Sequence, residues 1–476
     1  MSSLSRVDYA FIGAYIIGFS ALFIQSLNHF FFWDTIQLAS KHASFFFDHN
    51  FAHLILPNDM DSGHIPTFGA YLAAHWKLFG RTLPVSHLSM IPFYLLSLAL
   101  SLRFIRATKA TPFIGVGAIL LLTDPAVLSQ FMLVSPDIWM VAFTLLTAMG
   151  VYKNKRLLIA SGVFLLFLTS MRGMMLSFSL LIADIILNIH FDTLKKTLLK
   201  LLERSLLYLP AFILFLVFNS IHYEAVGWIG YHADSPWADS FARVDLSGFL
   251  KNCVVFIFYI SDFGRVFLFG LLLILLYKNR KKITAHSSLY KLTIIFVCVF
   301  FILPINMLWA QELVGHRYLL PINVLAVVLV IALVNESDFS HQIKWATLSI
   351  CLVAQLLGNF IIYPEKMAQG WDSTLAHLPY YELRNEAKEY LREEQISPDR
   401  VGSFFPNLST FDYTDLDGGH VAYTKFSGAN EYLVYSNVFN IPDEDIDVIY
   451  SQYEVLKVFE SKRIWVKVLK RKEALE

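Results

Sequence analysis

About eleven long apolar segments constrain the fold of this chain more than any other feature. They lie at about 9–28, 88–105, 111–131, 137–152, 157–171, 174–190, 205–222, 261–277, 289–309, 317–334 and 344–363. An α-helix needs about 20 mostly apolar residues to cross a bilayer. Only 16% of the residues are charged, against about 25% in soluble proteins. We therefore expect an all-α polytopic membrane domain of about 11 transmembrane helices.

Basic residues predict how these segments are oriented. If the segments alternate in direction, four clusters share one side of the membrane: Arg103/Arg106/Lys109, Lys153/Lys155/Arg156, Lys195/Lys196/Lys200/Arg204 and Lys278/Arg280/Lys281/Lys282. Loops rich in lysine and arginine stay in the cytoplasm. The N-terminus is then cytoplasmic, and the long 29–87 segment and the tail lie on the outer side.

The tail differs in composition from the rest of the chain. It contains a helix-like run at 380–394 and strand-like runs at 401–405, 432–435 and 464–469. These patterns predict a membrane domain at 1–363 and a small soluble α/β domain at 364–476 on the outer (periplasmic) face. The tail has no glycine-rich phosphate loop, so we expect a recognition or lid domain without its own chemistry.

Charge and cysteine content exclude two classes of function. The formal net charge is zero, so nothing draws the chain toward nucleic acid. The three cysteines, Cys253, Cys298 and Cys351, all lie in apolar segments without paired spacing. They are interpreted as inert buried thiols.

The 29–87 segment is far longer than the 2–8 residues that usually connect two helices. It concentrates acids and histidines at Asp34, His42, Asp48, His49, His53, Asp59, Asp61 and His64. Titratable groups held against a bilayer predict chemistry at the membrane surface.

Asp34 is the first candidate catalytic residue. It directly follows Phe30–Trp33, where the first span leaves the bilayer. A carboxylate partly removed from water is suited to accept a proton as a general base. The alternative is an ordinary helix-end aspartate that faces water or caps the next helix.

The turn at 59–66 carries Asp61 and His64 and precedes a predicted interfacial helix at 65–79. It could position donor groups, or hold a divalent cation through Asp61 and His64. The alternative is a solvated turn in which Asp61 or Ser62 caps the helix and Pro66 lies in its first turn.

Further polar residues interrupt apolar segments on the same side: Asp137, Arg172, His316 and Arg317. Asp137 could simply stabilise the positive end of a helix. Arg172 needs a carboxylate, a phosphate or the interface as a partner, and arginine is well shaped to hold phosphate. Asp262 and Arg265 are three residues apart and predict an internal ion pair.

In order along the chain, these residues resemble the pattern of the GT-C superfamily of polytopic glycosyltransferases. The branch that they resemble includes the dolichyl-phosphate-mannose protein mannosyltransferases and the aminoarabinose transferases. The matching elements are Asp34, Gly63-His64-x-Pro66, Phe79-Gly80, Ser135-Pro136-Asp137, Arg172 and Arg317–Pro321. Many relatives carry an acidic pair after the first span. Here Asp34 stands alone, so Asp61 or Asp137 would complete the site.

The resemblance implies an inverting hexosyl- or pentosyltransferase that uses a polyprenyl-phosphate sugar donor. Asp34 would act as general base toward an acceptor hydroxyl on the outer face, and Asp61 and Asp137 would assist. The residues implied in substrate and phosphate binding are His64, Arg172, His316, Arg317 and Tyr318. The acceptor would be a protein, a glycolipid or a surface polymer, and the membrane a bacterial inner membrane. No nucleotide fingerprint is present, and a lipid donor requires none.

Two other classes fit a polytopic chain. A transporter would place its ionisable residues near the middle of its spans, whereas these collect at one face. A lipid-linked glycan flippase, which is not an enzyme of this kind, would not need Asp34 beside basic residues. Within the enzyme class, a lipid-linked oligosaccharide ligase would use the same carrier chemistry. Loss of turnover with retained fold in Asp34→Asn would separate an enzyme from the other two.

Overall fold

The computed structural model describes residues 4–189, 193–233, 235, 238–285 and 287–472. Within these residues it contains mainly α-helices: α1 (Arg6–Ser26), α2 (His42–Asp48), α3 (Thr67–Phe79), α4 (Leu83–Leu88), α5 (Ile91–Ala107), α6 (Ile114–Leu122), α7 (Pro125–Met132), α8 (Asp137–Lys153), α9 (Arg156–Thr169), α10 (Met171–Asn188), α11 (Leu194–Ser205), α12 (Leu209–Val226), α13 (Leu246–Ser261), α14 (Arg265–Asn279), α15 (Ser288–Ile302), α16 (Ile305–Leu308), α17 (Leu320–Glu336), α18 (His341–Gly358), α19 (Pro379–Glu393), α20 (Phe411–Thr414) and α21 (Asp443–Gln452). The strands are β1 (Val401–Ser403), β2 (Thr424–Lys425), β3 (Tyr432–Ser436), β4 (Tyr453–Ser461) and β5 (Ile464–Arg471).

The predicted apolar segments form helices, as expected. Among the described residues, six helical stretches are long and apolar enough to cross a membrane, or up to eight if each bent pair counts as one span. The others are shorter or more polar, such as α8 with 17 residues and α9 with 14. The polytopic all-α architecture of the membrane part is thus confirmed. Fewer helical stretches are long and apolar enough to cross a membrane than the eleven segments predicted from the sequence.

Local sequence explains the two bends. α6 and α7 meet at 62°, where the Asp124 side chain caps α7 and Pro125 begins it. α13 and α14 meet at 98° around Gly264, whose φ is +82° and where an added Cβ would lie 2.1 Å from the carbonyl oxygen of Ala354. Only glycine fits that backbone and that contact.

α17 forms the centre of the helical bundle. All of its residues from Leu320 to Val334 are buried. A helix that is apolar on every side is stable only when other helices surround it. Packing on every side therefore fixes the position of the start of α17. The residues just before it, His316–Leu319, include members of the candidate site described below.

The tail forms a small sheet domain, as the sequence predicts. The strand order is β2-β1-β3-β5-β4, in which β1 is parallel to β2 and β3, and β5 is antiparallel to β3 and β4. The three predicted strand runs and the helix α19 are present. The sequence analysis missed β4, because most of its residues are exposed and no apolar face marks it.

The tail packs against the residues that follow the C-terminal end of α1. Phe30 and Phe32 share one hydrophobic core with Tyr380 and Tyr381 of α19. The backbone N–H of Phe31 donates to the carbonyl of Thr414 at 2.9 Å. The 29–87 segment is thus pinned between the helical bundle and the tail.

Candidate active site

Five charged residues from distant parts of the chain meet at one end of the helical bundle. Asp34 precedes a π-helix at Ile36–Lys41, Asp137 begins α8, and Arg172 lies in the first turn of α10. Arg317 belongs to the 3₁₀ turn His316–Leu319 that leads into α17. Asp372 lies in the 3₁₀ turn Trp371–Ser373 of the tail. These five residues are called the charge cluster below.

Arg317 lies at the centre of the charge cluster. Its Nη2 donates to Asp34, its Nη1 donates to Asp137 at 3.0 Å, and its Nε lies 2.9 Å from Asp372. The Arg317 side chain is 8% exposed, whereas that of Asp34 is 17% exposed. Each edge of the guanidinium is therefore occupied by a carboxylate, and Asp34 is the most accessible of the three acids.

Arg172 is the second cation of the charge cluster. Its Nη2 donates to Asp137 at 2.6 Å, and its guanidinium carbon lies 4.3 Å from the centroid of the Tyr318 ring. The Ser170 side chain caps α10 and fixes where Arg172 leaves the helix. The Arg172 side chain is 16% exposed, so it retains access to a ligand that Arg317 largely lacks.

Asp372 is a member of the charge cluster that the sequence analysis missed. Its carbonyl accepts hydrogen bonds from Ser129 Oγ at 2.8 Å and Gln130 Nε2 at 2.7 Å. Burial, together with the charges of Asp34 and Asp137, raises the pKa of Asp372 to about 6 against the opposing effect of Arg317. Three carboxylates face two guanidinium groups, so one carboxylate is in excess, which is consistent with the raised pKa of the buried Asp372.

His64 lies beside the charge cluster in a small cavity. The cavity has about 370 Å³ of empty space, part of it open to solvent. Its polar lining residues are His42, Ser62, His64, Asp137, Thr169, Ser170 and Arg172. Nδ1 of His64 is buried without a hydrogen-bond partner. Burial, and then the nearby charge of Arg172, lowers the pKa of His64 to about 4. At neutral pH the imidazole is therefore uncharged and free to donate one hydrogen bond.

Asp61 does not join the charge cluster. Its Oδ2 lies 2.9 Å from Nε2 of His222 on α12, and its Oδ1 accepts from the Gly63 N–H at 2.7 Å. Gly63 has a φ of +69°, and an added Cβ would lie 1.9 Å from the carbonyl oxygen of Gly230. The loop after α12 therefore covers the predicted turn, and Asp61 acts here as the partner of His222.

His316 also points away from the charge cluster. Its Nε2 lies 2.8 Å from Asp262 Oδ2, and the rings of Tyr259 and Phe263 enclose it at 4.0 and 4.4 Å. The predicted ion pair between Asp262 and Arg265 is wrong. Arg265 instead binds Asp124 through two hydrogen bonds of 2.5 and 2.8 Å, because the bend at Gly264 separates the helices on which the two residues lie.

Asp61 and His64 are the two residues for which the sequence predicts possible metal binding. Among the residues that the structure describes, no group of three or more Asp, Glu, His or Cys side chains is arranged to hold a metal ion. Two carboxylate contacts of Asp61 are already made within the chain, to His222 and Gly63. A divalent cation at this turn stays a prediction from the sequence.

A larger groove lies between the C-terminal ends of α1 and α18 and the sheet domain. Its walls include His29 and Tyr381, whose rings stack at 3.9 Å, and a row of glutamates on α19. None of the residues of the charge cluster lines this groove. Asp137 and Arg172 line the small cavity, which therefore connects directly to the charge cluster.

Comparison with known proteins identifies the fold. No family model matches the sequence, and no curated protein matches it significantly. Two solved structures do match: ArnT from Cupriavidus metallidurans bound to undecaprenyl phosphate, at 11% identity, and the same protein in the apo state, at 12% identity. For both, the TM-score is 0.53, and 96% of this chain and 98% of the other chain are covered.

This similarity extends over nearly the whole chain and includes both the helices and the tail. The chain therefore has an ArnT-like fold, which confirms the fold expected from the sequence resemblance. Together with its apolar helices, the fold makes this chain a multi-pass membrane protein. Identity this low establishes the fold alone, so the activity is argued from the site.

Proposed function

We propose that this protein is a glycosyltransferase that moves one sugar from a polyprenyl-phosphate donor to an acceptor hydroxyl. The reaction takes place at the outer face of the membrane and inverts the configuration at the anomeric carbon. The proposal is supported by the ArnT-like fold, since one of the matching structures is bound to undecaprenyl phosphate.

The observation that carries the proposal is the position of Asp34 and Arg172 within the charge cluster. A base and a cation, both partly accessible, flank the buried pair of Arg317 and Asp137. Transfer from a lipid phosphate needs a base for the acceptor and positive charge for the leaving group. A purely structural ion-pair network has no need of accessible members.

In the proposed reaction, Asp34 takes the proton from the acceptor hydroxyl. The acceptor oxygen forms a bond to the anomeric carbon while the bond from that carbon to the phosphate oxygen breaks. The bonding electrons leave with the polyprenyl phosphate, and the proton stays on Asp34 until it is released to water. Arg317 holds the Asp34 carboxylate in the orientation that this attack requires.

The leaving phosphate is assigned to Arg172 and His64. Arg172 gives the cavity a fixed positive charge, and the uncharged His64 can donate one hydrogen bond to a phosphate oxygen. Three contacts orient Arg172: its guanidinium donates to Asp137 and to the carbonyl of Arg317, and it lies over the ring of Tyr318. His316 is left out of this set because Asp262 occupies it.

The orientation of the protein is part of the proposal. We place the N-terminus in the cytoplasm, and residues 364–476 on the periplasmic side of a bacterial inner membrane, from the positions of the basic clusters. The tail and the charge cluster lie on the same side, because Asp372 of the tail contacts Arg317 directly. The tail would then bound the space that an acceptor must enter.

The test is turnover of the purified protein with a panel of radiolabelled polyprenyl-phosphate sugars. Wild type is compared with Asp34→Asn, each with and without a chelator. Release of polyprenyl phosphate by wild type alone supports the proposal and identifies the base, and loss of release with chelator would add a metal ion. Equal turnover in both proteins would reject Asp34 as the base. Retention of lipid binding without turnover of any donor by either protein would favour a flippase or transporter.

A further inference from the structure

α11 differs from every membrane-crossing helix described above. It has 12 residues, which is too short to span a bilayer. Its sequence, LKKTLLKLLERS, consists mainly of leucines and basic residues. At 100° per residue, Leu194, Leu198, Leu201 and Leu202 fall within roughly 100° of one another. Lys196 and Lys200 fall on the opposite side. The helix is therefore strongly amphipathic.

The apolar face of α11 does not pack against the rest of the chain. Leu194 is 77% exposed, Leu198 53% and Leu202 58%. In a soluble helix, that face would normally be buried in a core. α11 thus exposes an apolar face and a basic face, which suits a boundary between an apolar phase and a charged surface.

A buried ion pair holds α11 at its C-terminal end. Arg204 Nε donates to Asp184 Oδ2 at 2.8 Å, and Arg204 Nη1 donates to Asn154 at 2.7 Å. Asp184 is fully buried near the end of α10. The guanidinium of Arg204 thus binds residues of the helical bundle, whereas the side chains of Lys195 and Lys200 are exposed.

The chain on either side fixes where α11 can lie. It follows α10 and precedes α12, and both are apolar enough to cross a membrane. Only five residues separate α10 from α11, and three separate α11 from α12. The helix therefore cannot leave the bilayer surface. It lies toward the end of α10 opposite Arg172: Asp184, the α10 residue that binds Arg204, is about 18 Å from Arg172 along the helix axis.

We propose that α11 lies in the plane of the membrane surface and binds the headgroups of anionic phospholipids. Its leucines enter the outer part of the hydrocarbon, while Lys195 and Lys200 reach the phosphates. Lys153, Lys155 and Arg156, which are exposed in the neighbouring α8–α9 turn, extend the same basic surface. Arg156 also pairs with Glu203 of α11, which links the turn to the helix.

The test places a spin label on each face of α11 in the full-length protein. Cys253, Cys298 and Cys351 are replaced by alanine, and a cysteine is introduced by Leu198→Cys or by Lys200→Cys. Collision of each label with oxygen and with a water-soluble nickel chelate is measured in nanodiscs of phosphatidylcholine, with and without phosphatidylglycerol. Because the anionic lipid is present in both leaflets, the result does not depend on the orientation or on the proposed enzymatic function.

We expect the Leu198→Cys label to collide mainly with oxygen and the Lys200→Cys label mainly with nickel. Phosphatidylglycerol should move the label at position 198 deeper, and Lys195→Gln/Lys200→Gln should remove at least half of that shift. Lys457→Gln/Lys462→Gln on the β4–β5 hairpin has the same change in charge and should leave the shift unchanged. Equal nickel access at both positions, protection of position 198 from both reagents, or no effect of the anionic lipid would overturn the proposal.

Discussion

Nε of Arg317 lies 2.9 Å from a carboxylate oxygen of Asp372, so the tail supplies a charged residue to the charge cluster at the end of the helical bundle. Arg317 immediately precedes the most buried helix of the bundle, and Asp372 follows the last apolar helix. The pair joins the two regions at the charge cluster itself. The predictions below test what each member of that cluster contributes.

Replacing Asp34 by Asn should lower turnover by about 10²- to 10⁴-fold, the usual contribution of a general base. Binding of polyprenyl phosphate should be retained, because Arg317 keeps Asp137 and Asp372 as partners. Turnover and lipid binding are measured on the same preparation. Asp48→Asn, at an exposed aspartate of the same segment, is the matched control and should be fully active.

Replacing Arg172 by Gln should raise the KM for the lipid donor by about 10- to 100-fold, which corresponds to one lost charge-assisted hydrogen bond. Asp137 remains paired with Arg317 in this variant, so the fold should persist. Donor titrations give KM, and Arg243→Gln, at an exposed arginine, serves as the control. An unchanged KM would exclude Arg172 from the phosphate site.

Asp372 should make stability depend on pH. Its pKa in the folded protein is about 6, above the usual 3.8, so the folded protein binds a proton between about pH 4 and 6 that the unfolded chain releases. The stabilisation from this proton is complete below about pH 4 and is lost as the pH rises through 6.

The thermal unfolding temperature of wild type should therefore fall more between pH 5 and pH 7 than that of Asp372→Asn, which cannot titrate. Asp443→Asn, at an exposed aspartate in the first turn of α21, should follow wild type. Parallel curves for wild type and Asp372→Asn would contradict the raised pKa.

Replacing His222 by Ala should destabilise the protein by about 3–5 kcal/mol, because it leaves the carboxylate of Asp61 buried and unpaired. Asp61 is 4% exposed and His222 1% exposed. The double variant Asp61→Ala/His222→Ala should recover part of this loss, since no buried carboxylate then remains and only the Gly63 N–H loses its acceptor. Unfolding temperatures in detergent give the comparison. A double variant less stable than His222→Ala would show that the Gly63 hydrogen bond outweighs the unpaired carboxylate.

Four of the five members of the charge cluster could be found from the sequence. Asp34, Asp137, Arg172 and Arg317 interrupt or border apolar segments on one side, where a charge is conspicuous because burial is costly. Asp372 could not be found in this way, because it lies in a polar tail where an aspartate is ordinary. Its one local signal is the neighbouring Trp371, which is also buried.

His316 shows why neighbours in the sequence need not share a site. It directly precedes Arg317, and the resemblance implies phosphate binding for both. In a 3₁₀ turn, successive side chains point about 120° apart. One of them therefore reaches Asp34 and the other reaches Asp262. Adjacency along the chain does not determine which side chains share a site.

The position of Asp372 after the last apolar helix also sets an order of events during synthesis. Domains form from the N-terminal end as the ribosome proceeds, so Asp34, Asp137, Arg172 and Arg317 all emerge before Asp372. A nascent chain halted near residue 363 would contain α1 to α18 but hold Arg317 with one carboxylate fewer. The charge cluster would thus be completed only after the last apolar helix described here has been synthesised.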